Sequence, residues 1–170
     1  HQNTTGDYNV AMGHQALYQN TTADYNTGVG YNALGNNTTG TLNLAVGAQA
    51  LDANTTANSN TAIGQNAMTS NTTGEENTAV GRAALQNNTT ASSNTAIGYA
   101  SMDANTTGTR NVAVGYATLD ASTSSDRNVA IGYNAMTANT TGGRNTAMGY
   151  GALETYNATD SGVDYNTAIG

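Results

Sequence analysis

Apolar and polar positions along this chain recur with a period of 17 residues. In Asn94–Arg110, NTAIGYASMDANTTGTR, the fourth position is a large aliphatic residue, the ninth is Leu or Met, and the third and eighth are small. Apolar residues alternate with others around the fourth position, which is typical of a β-strand. A Gly, β-branched residues and an Asn-Thr-Thr run disfavour a helix. The pattern predicts two short strands per repeat, one centred on the third and fourth positions and one near the eighth and ninth.

The repeats divide the chain into one continuous array over residues 1–170. Residues 1–8 match the tail of a repeat, full repeats begin at Asn9, and residues 166–170 match the head of another. Four residues are inserted within 154–165, where we expect either a protruding loop that carries specificity or a plain bulge. Because solenoids normally end in atypical capping repeats, we expect this array to be a segment of a longer fibre.

A glycine at the fifth position supplies the corner after the first predicted strand, since glycine tolerates a positive φ or a close backbone approach. These structural turn residues are Gly13, Gly30, Gly47, Gly64, Gly81, Gly98, Gly115, Gly132 and Gly149. Stacking the coils strand on strand, about 4.8 Å apart, predicts an all-β fold: a parallel β-solenoid, or β-roll, on the order of 50 Å long.

Each coil offers few residues for a core. Burial of its Val, Ile or Met and its Leu or Met would contribute roughly 3–6 kcal/mol, against roughly 1–2 kcal/mol of backbone entropy for each ordered residue. Lateral association would offset this deficit, and the Ala columns at the third and eighth positions would let a second chain pack closely. The sequence therefore favours several parallel solenoids packed side by side, most simply a homotrimer.

Composition excludes several functions. The net charge is −7 with only four basic residues, which argues against binding to nucleic acid. The absence of Cys excludes disulfides and thiolate metal sites, and no apolar stretch is long enough to cross a membrane.

Catalytic and metal-binding patterns are absent from the repeat. Neither His1 nor His14 has a recurring Asp or Ser partner, so we expect no enzymatic activity and no cofactor. One column carries four aspartates but Thr, Asn, Ser or Gly in other copies, so we expect solvated turn residues and no metal site. These aspartates are Asp7, Asp24, Asp126 and Asp164.

The Asn-Thr-Thr run begins with an asparagine at the twelfth position, for which three interpretations compete. The first is an amide ladder of stacked Asn side chains, the second is a glycosylation sequon, and the third is an ice-binding face formed by rows of Thr side chains. Adjacent Thr residues on a strand would point to opposite faces, which weakens the third. The ladder residues are Asn20, Asn37, Asn54, Asn71, Asn88, Asn105 and Asn139.

Two columns in the second half form a candidate glycan-binding strip. Tyr99, Tyr116, Tyr133 and Tyr150 occupy the sixth position, and Arg110, Arg127 and Arg144 occupy the seventeenth. Tyr rings can stack on sugars, and the arginines would bind an anionic surface glycan. The alternative is a Tyr ladder that stiffens the rod, with the arginines solvated or paired.

The repeats resemble the head repeats of trimeric autotransporter adhesins and the repeat regions of bacteriophage tail fibres. The resemblance lies in the first five residues of a repeat, NTAIG or NVAVG, and in the A-L/M pair and Asn-Thr-Thr that follow them. The resemblance implies a left-handed β-roll, three chains side by side, and a rigid shaft or adhesive head. The unit here is longer than the usual adhesin repeat. We expect a structural and adhesive segment of an extracellular, cell-surface or virion fibre, with itself and a cell-surface glycan as partners. The alternatives are a self-associating filament without a receptor and an ice-binding solenoid.

Overall fold

The computed structural model of the chain describes residues 2–157 and 164–170. It contains ten parallel strands in one sheet, ordered as in the sequence, and no helix in the described residues. The strands are Val10–Met12 (β1), Thr27–Val29 (β2), Leu44–Val46 (β3), Thr61–Ile63 (β4), Thr78–Val80 (β5), Thr95–Ile97 (β6), Val112–Val114 (β7), Val129–Ile131 (β8), Thr146–Met148 (β9) and Thr167–Ile169 (β10). The predicted all-β parallel solenoid is confirmed.

Every strand pairs with the equivalent residues of the next coil. Thr95 lies opposite Val112, for example, and Ala96 opposite Ala113. The one longer step joins β9 to β10, where Thr146 pairs with Thr167 across the insertion. The centre of that insertion, 158–163, lies outside the described residues.

The prediction of a second strand near the eighth and ninth positions was wrong. This part of each coil is a succession of turns, in which Leu85 has a φ of 51° and still donates its N–H to the Ser101 carbonyl, at 3.0 Å. Ala84 and Leu85 are adjacent, and both are fully buried. Adjacent strand residues point to opposite faces, so a strand with one face towards solvent, as in the wall of a solenoid, would bury only one of them.

The assignment of the fourth position to the core was also wrong. Ala96 is completely buried in β6, whereas its neighbour Ile97 is 39% exposed. The interior contains the Leu or Met of the ninth position and the Ala columns of the third and eighth. These Ala columns lie inside the solenoid, so they cannot serve as the contact surface for a second chain. The aliphatic residues of the fourth position face outwards instead.

The fifth-position glycines form the corner that follows each strand. Their φ lies between +129° and +140° from Gly13 to Gly149, a region that residues with a side chain rarely adopt. A Cβ on Gly47 would lie 2.6 Å from the carbonyl oxygen of Gly64 in the next coil. The corner therefore requires glycine for both its backbone angle and its close approach.

Candidate functional site

Two columns of asparagine side chains run through the interior. In the column at the first position, each Oδ1 accepts the backbone N–H of the next coil's Asn at 2.9–3.0 Å. Each Nδ2 from Asn9 to Asn128 donates to a carbonyl 14 residues later at 2.7–2.8 Å. This role was not predicted from the sequence, although the signal is present there: Asn begins every full repeat.

The second column is that of the Asn-Thr-Thr run. From Asn37 to Asn105, each Nδ2 donates to the Oδ1 of the preceding coil at 2.8–3.3 Å. Ser122 replaces Asn in one coil and pairs with Ser125, which leaves Asn105 Oδ1 buried without a partner. The seven asparagines of this column are buried. Their amides are therefore inaccessible to a glycosylating enzyme in the folded chain.

The four tyrosines of the candidate strip stack directly on one another. The ring centroids of Tyr99, Tyr116, Tyr133 and Tyr150 are 5.1, 4.9 and 5.2 Å apart, with interplanar angles of 15°, 7° and 4°. The guanidinium of Arg82 covers the free face of Tyr99, 5.4 Å from its centroid. Most ring faces are thus occupied, so a ligand would meet ring edges and hydroxyl groups.

The arginines of the strip lie on the other side of the strand from the tyrosines, because the seventeenth position precedes each strand and the sixth follows it. Arg144 stacks on Tyr165 of its own column, 5.5 Å from the centroid. Among the described ring contacts, none joins Arg110, Arg127 or Arg144 to the tyrosine stack. The structure therefore separates the predicted strip into two columns that flank the sheet.

Two aspartates of the predicted aspartate column, Asp126 and Asp24, cap groups of the preceding coil. Asp126 Oδ1 accepts the N–H and the hydroxyl of Thr109, at 2.6 and 3.0 Å, and Asp24 Oδ1 accepts the N–H of Asp7 at 2.7 Å. Within residues 2–157 and 164–170, no three His, Asp or Glu side chains converge as metal ligands. His14 lies stacked on Tyr31, with 5.5 Å between the ring centroids.

Three other aspartates, all at the tenth position, are half-buried. Burial raises the pKa of Asp52, Asp103 and Asp120 above the ordinary aspartate value. For Asp120, the negative charge of Asp103 in the preceding coil raises the pKa further, against two opposing backbone hydrogen bonds. A neighbouring negative charge disfavours the ionised form of a carboxyl group.

We expect these carboxyl groups to make the solenoid less stable as pH rises. A raised pKa in the folded state means that the native state binds protons more tightly than the unfolded state does. The stabilisation that this proton binding gives is complete below the ordinary aspartate pKa, and it is lost as pH rises through the folded-state pKa. Urea unfolding midpoints between about pH 4 and 7 would measure this loss. The double variant Asp103→Asn/Asp120→Asn should flatten the profile, and an unchanged slope would contradict this origin.

No helix able to span a membrane occurs in the described part of the chain. No family model, curated protein or solved structure matches this chain. What is established is the architecture: a regular parallel solenoid with two buried amide ladders and exposed columns that repeat once per coil.

Proposed function

We propose that this chain is a segment of an extracellular or virion fibre, which associates laterally with copies of itself and presents repeated surface groups for multivalent attachment. The observation that carries the proposal is the outer face of the sheet. Every fourth-position residue on it is aliphatic, and the second position holds only Thr, Val or Leu. Ile63 and Ile97 are 37% and 39% exposed. The fourth-position side chains form a row along the outer face of the sheet, and contiguous exposed apolar surface often marks a protein–protein contact.

The dimensions of this face suit a protein interface. Ten strands about 4.8 Å apart span about 45 Å. With its flanking columns, from the seventeenth to the sixth position, the face is about 20 Å wide, for about 900 Å² per chain. The uncharged strand residues form the centre of this area, and the flanking columns with their Arg and Tyr residues form its rim. A stable interface buries about 800 Å² on each partner. Packing this face against other copies would supply the apolar burial that a single thin coil lacks, and a homotrimer is the simplest closed assembly.

Attachment would use the regularity of the rod. Each exposed column presents one side chain per coil, at intervals of about 4.8 Å, and bundled chains multiply the copies. Weak contacts presented together on a rigid scaffold gain avidity without any new contact. The resemblance to adhesin and tail-fibre repeats supports the same role.

The solution mass of residues 1–170, measured by light scattering on a sizing column, tests the association. We expect a mass near three chains for the wild type and near one chain for Ile63→Asp/Ile97→Asp, because buried unpaired carboxylates are costly at an apolar interface. The matched control, Thr73→Asp/Thr107→Asp, adds the same charges at exposed turn positions away from the sheet and should retain the wild-type mass. A monomeric wild type, or equal dissociation of both variants, would overturn the proposal.

Two other functions give different results in the same preparation. A filament without a receptor would associate through the same outer face of the sheet; it predicts end-to-end polymers that do not bind cells. An ice-binding solenoid is favoured by the ranks of Thr and aliphatic residues on the outer face; it predicts a monomer with thermal hysteresis. Specific cell binding by a laterally associated chain supports the fibre.

A further inference from the structure

A notch interrupts the surface of the second full coil. The tenth position carries Tyr18 in the first coil and Asp52 in the third, but Gly35 between them. Where that side chain is missing, the surface has a cavity of about 180 Å³. Besides Gly35, it is lined by Gln15, Tyr18, Gln19, Asn32, Asn36 and Asp52. The volume equals about six water molecules at about 30 Å³ each, which is the scale of one sugar unit.

The lining side chains are held in place by hydrogen bonds across the coils. Gln19 Nε2 donates to Asn36 Oδ1 at 2.8 Å. Asn36 Nδ2 donates to the Asp52 carbonyl at 3.0 Å and to Asp52 Oδ1 at 3.3 Å. This chain of contacts fixes one wall of the notch before any ligand arrives, which lowers the entropy cost of binding.

The notch contains hydrogen-bonding groups of both kinds. Its four carboxamides each carry donors and an acceptor, and Asp52 adds a carboxylate. Asn32 Oδ1 is buried beside the cavity without a partner in the described residues. The same atom of Asn66 is also unpartnered, so the cavity, more than this one oxygen, marks the site.

Tyr18 supplies an aromatic wall to the notch. The residue is 40% exposed, and its ring has no stacking ring or cation among the described contacts. The rings of Tyr8 and Tyr25, in contrast, stack on each other with their centroids 4.8 Å apart. A free aromatic face beside amide groups suits a ligand with an apolar face and a rim of hydroxyl groups.

Charge limits the ligand further. No Lys or Arg lines the notch, and the nearest arginine in the sequence, Arg82, is two coils beyond Asp52. An anionic ligand would meet a carboxylate with no compensating cation. We propose that this notch binds one uncharged sugar unit, stacked on Tyr18 and hydrogen-bonded by Gln15, Gln19 and Asn32. The site is separate from the tyrosine and arginine columns, and it stands on its own geometry whether or not the chain forms a fibre.

A natural comparison exists farther along the rod. Asn87 Nδ2 donates to the carbonyl and Oδ1 of Asp103 at 3.1 and 3.4 Å, which repeats the contacts of Asn36 with Asp52. The tenth position there is Gln86 instead of glycine. This coil therefore has the same hydrogen-bonded pair with a side chain where the notch has none.

Ligand-observed NMR with the methyl glycosides of glucose, galactose and N-acetylglucosamine tests the proposal, with sialic acid as the anionic comparison. We expect saturation-transfer signals from at least one neutral glycoside and none from sialic acid. Gly35→Thr should weaken that binding at least tenfold by filling the notch, since its Cβ would lie 2.8 Å from Asp52 Oδ1 and displace that lining carboxylate. Its matched control, Gln86→Thr, introduces the same residue at the same position of a coil without the notch, and its binding should equal that of the wild type.

Thermal unfolding of each variant shows whether the coil remains folded, and Thr already occupies this position at Thr69 and Thr137. If Gly35→Thr unfolds, Tyr18→Ala replaces it and should abolish the signals. Binding of no neutral glycoside, preference for sialic acid, or full binding by the filled or Tyr18 variant would overturn the proposal. The solution mass is measured independently by light scattering, so an absence of sugar binding at the notch would leave the fibre proposal intact.

Discussion

Replacing Asn77 by alanine should lower the free energy of unfolding by about 3–5 kcal/mol, because it removes a fully buried hydrogen-bonding centre. Asn77 Oδ1 accepts the backbone N–H of Asn94 at 3.0 Å and its Nδ2 at 3.3 Å. Asn77 Nδ2 donates to the Ala91 carbonyl at 2.8 Å and to Asn60 Oδ1 at 3.2 Å. The alanine variant leaves the Asn94 N–H unsatisfied in the interior, and that orphaned donor is the main cost. Urea unfolding followed by circular dichroism measures the change.

The matched control lies in the other amide column of the same coil. The double variant Asn88→Ser/Ala91→Ser recreates the hydroxyl pair that Ser122 and Ser125 already form in the chain. We expect it to cost less than half as much as Asn77→Ala, since the solenoid accommodates this pair at another coil. Equal losses for the two variants would show that the first-position ladder has no special importance.

Gly47→Ala should destabilise the solenoid by about 3–6 kcal/mol, through backbone strain and steric overlap together. The φ of Gly47 is +133°, and the new Cβ would lie 2.6 Å from both the carbonyl carbon and oxygen of Gly64. Gly64 cannot withdraw freely, because its N–H donates to the Val46 carbonyl at 2.7 Å. The midpoint of thermal or urea unfolding measures the effect.

Gly28→Ala is the control for this glycine substitution. Gly28 occupies the third position, where the other coils have Ala, and its Cβ would approach the Ala33 carbonyl oxygen at 3.0 Å and Leu17 Cγ at 3.3 Å. The added methyl group lowers the entropy of the unfolded chain, so we expect a change between a slight loss and a gain of about 1 kcal/mol. Similar large losses at both glycines would contradict the role of the corner geometry.

The 17-residue period, the all-β class and the parallel stacking followed from the sequence. A repeated phrase places the same residue at the same point of every coil, and shifting one strand by a single residue would exchange its buried and exposed faces. The glycine at the fifth position likewise indicates a corner from the sequence alone. These features depend on local chemistry that recurs in every repeat, so one sequence without homologues is enough to predict them.

The direction in which each side chain points depended on the tertiary structure. In the strand Thr95-Ala96-Ile97, alternation allows either Ala96 or Ile97 to face the interior, and hydrophobicity alone favours Ile97 as the buried residue. In the folded coil the strand turns Ala96 inward, because Met102 and the asparagine ladders fill the narrow interior. The same packing buried Asn94, a residue type that is usually exposed, and brought Gly35 between Tyr18 and Asp52. Local sequence therefore determined the period and the turns, whereas the limited volume enclosed by stacked coils decided which side chains form the core.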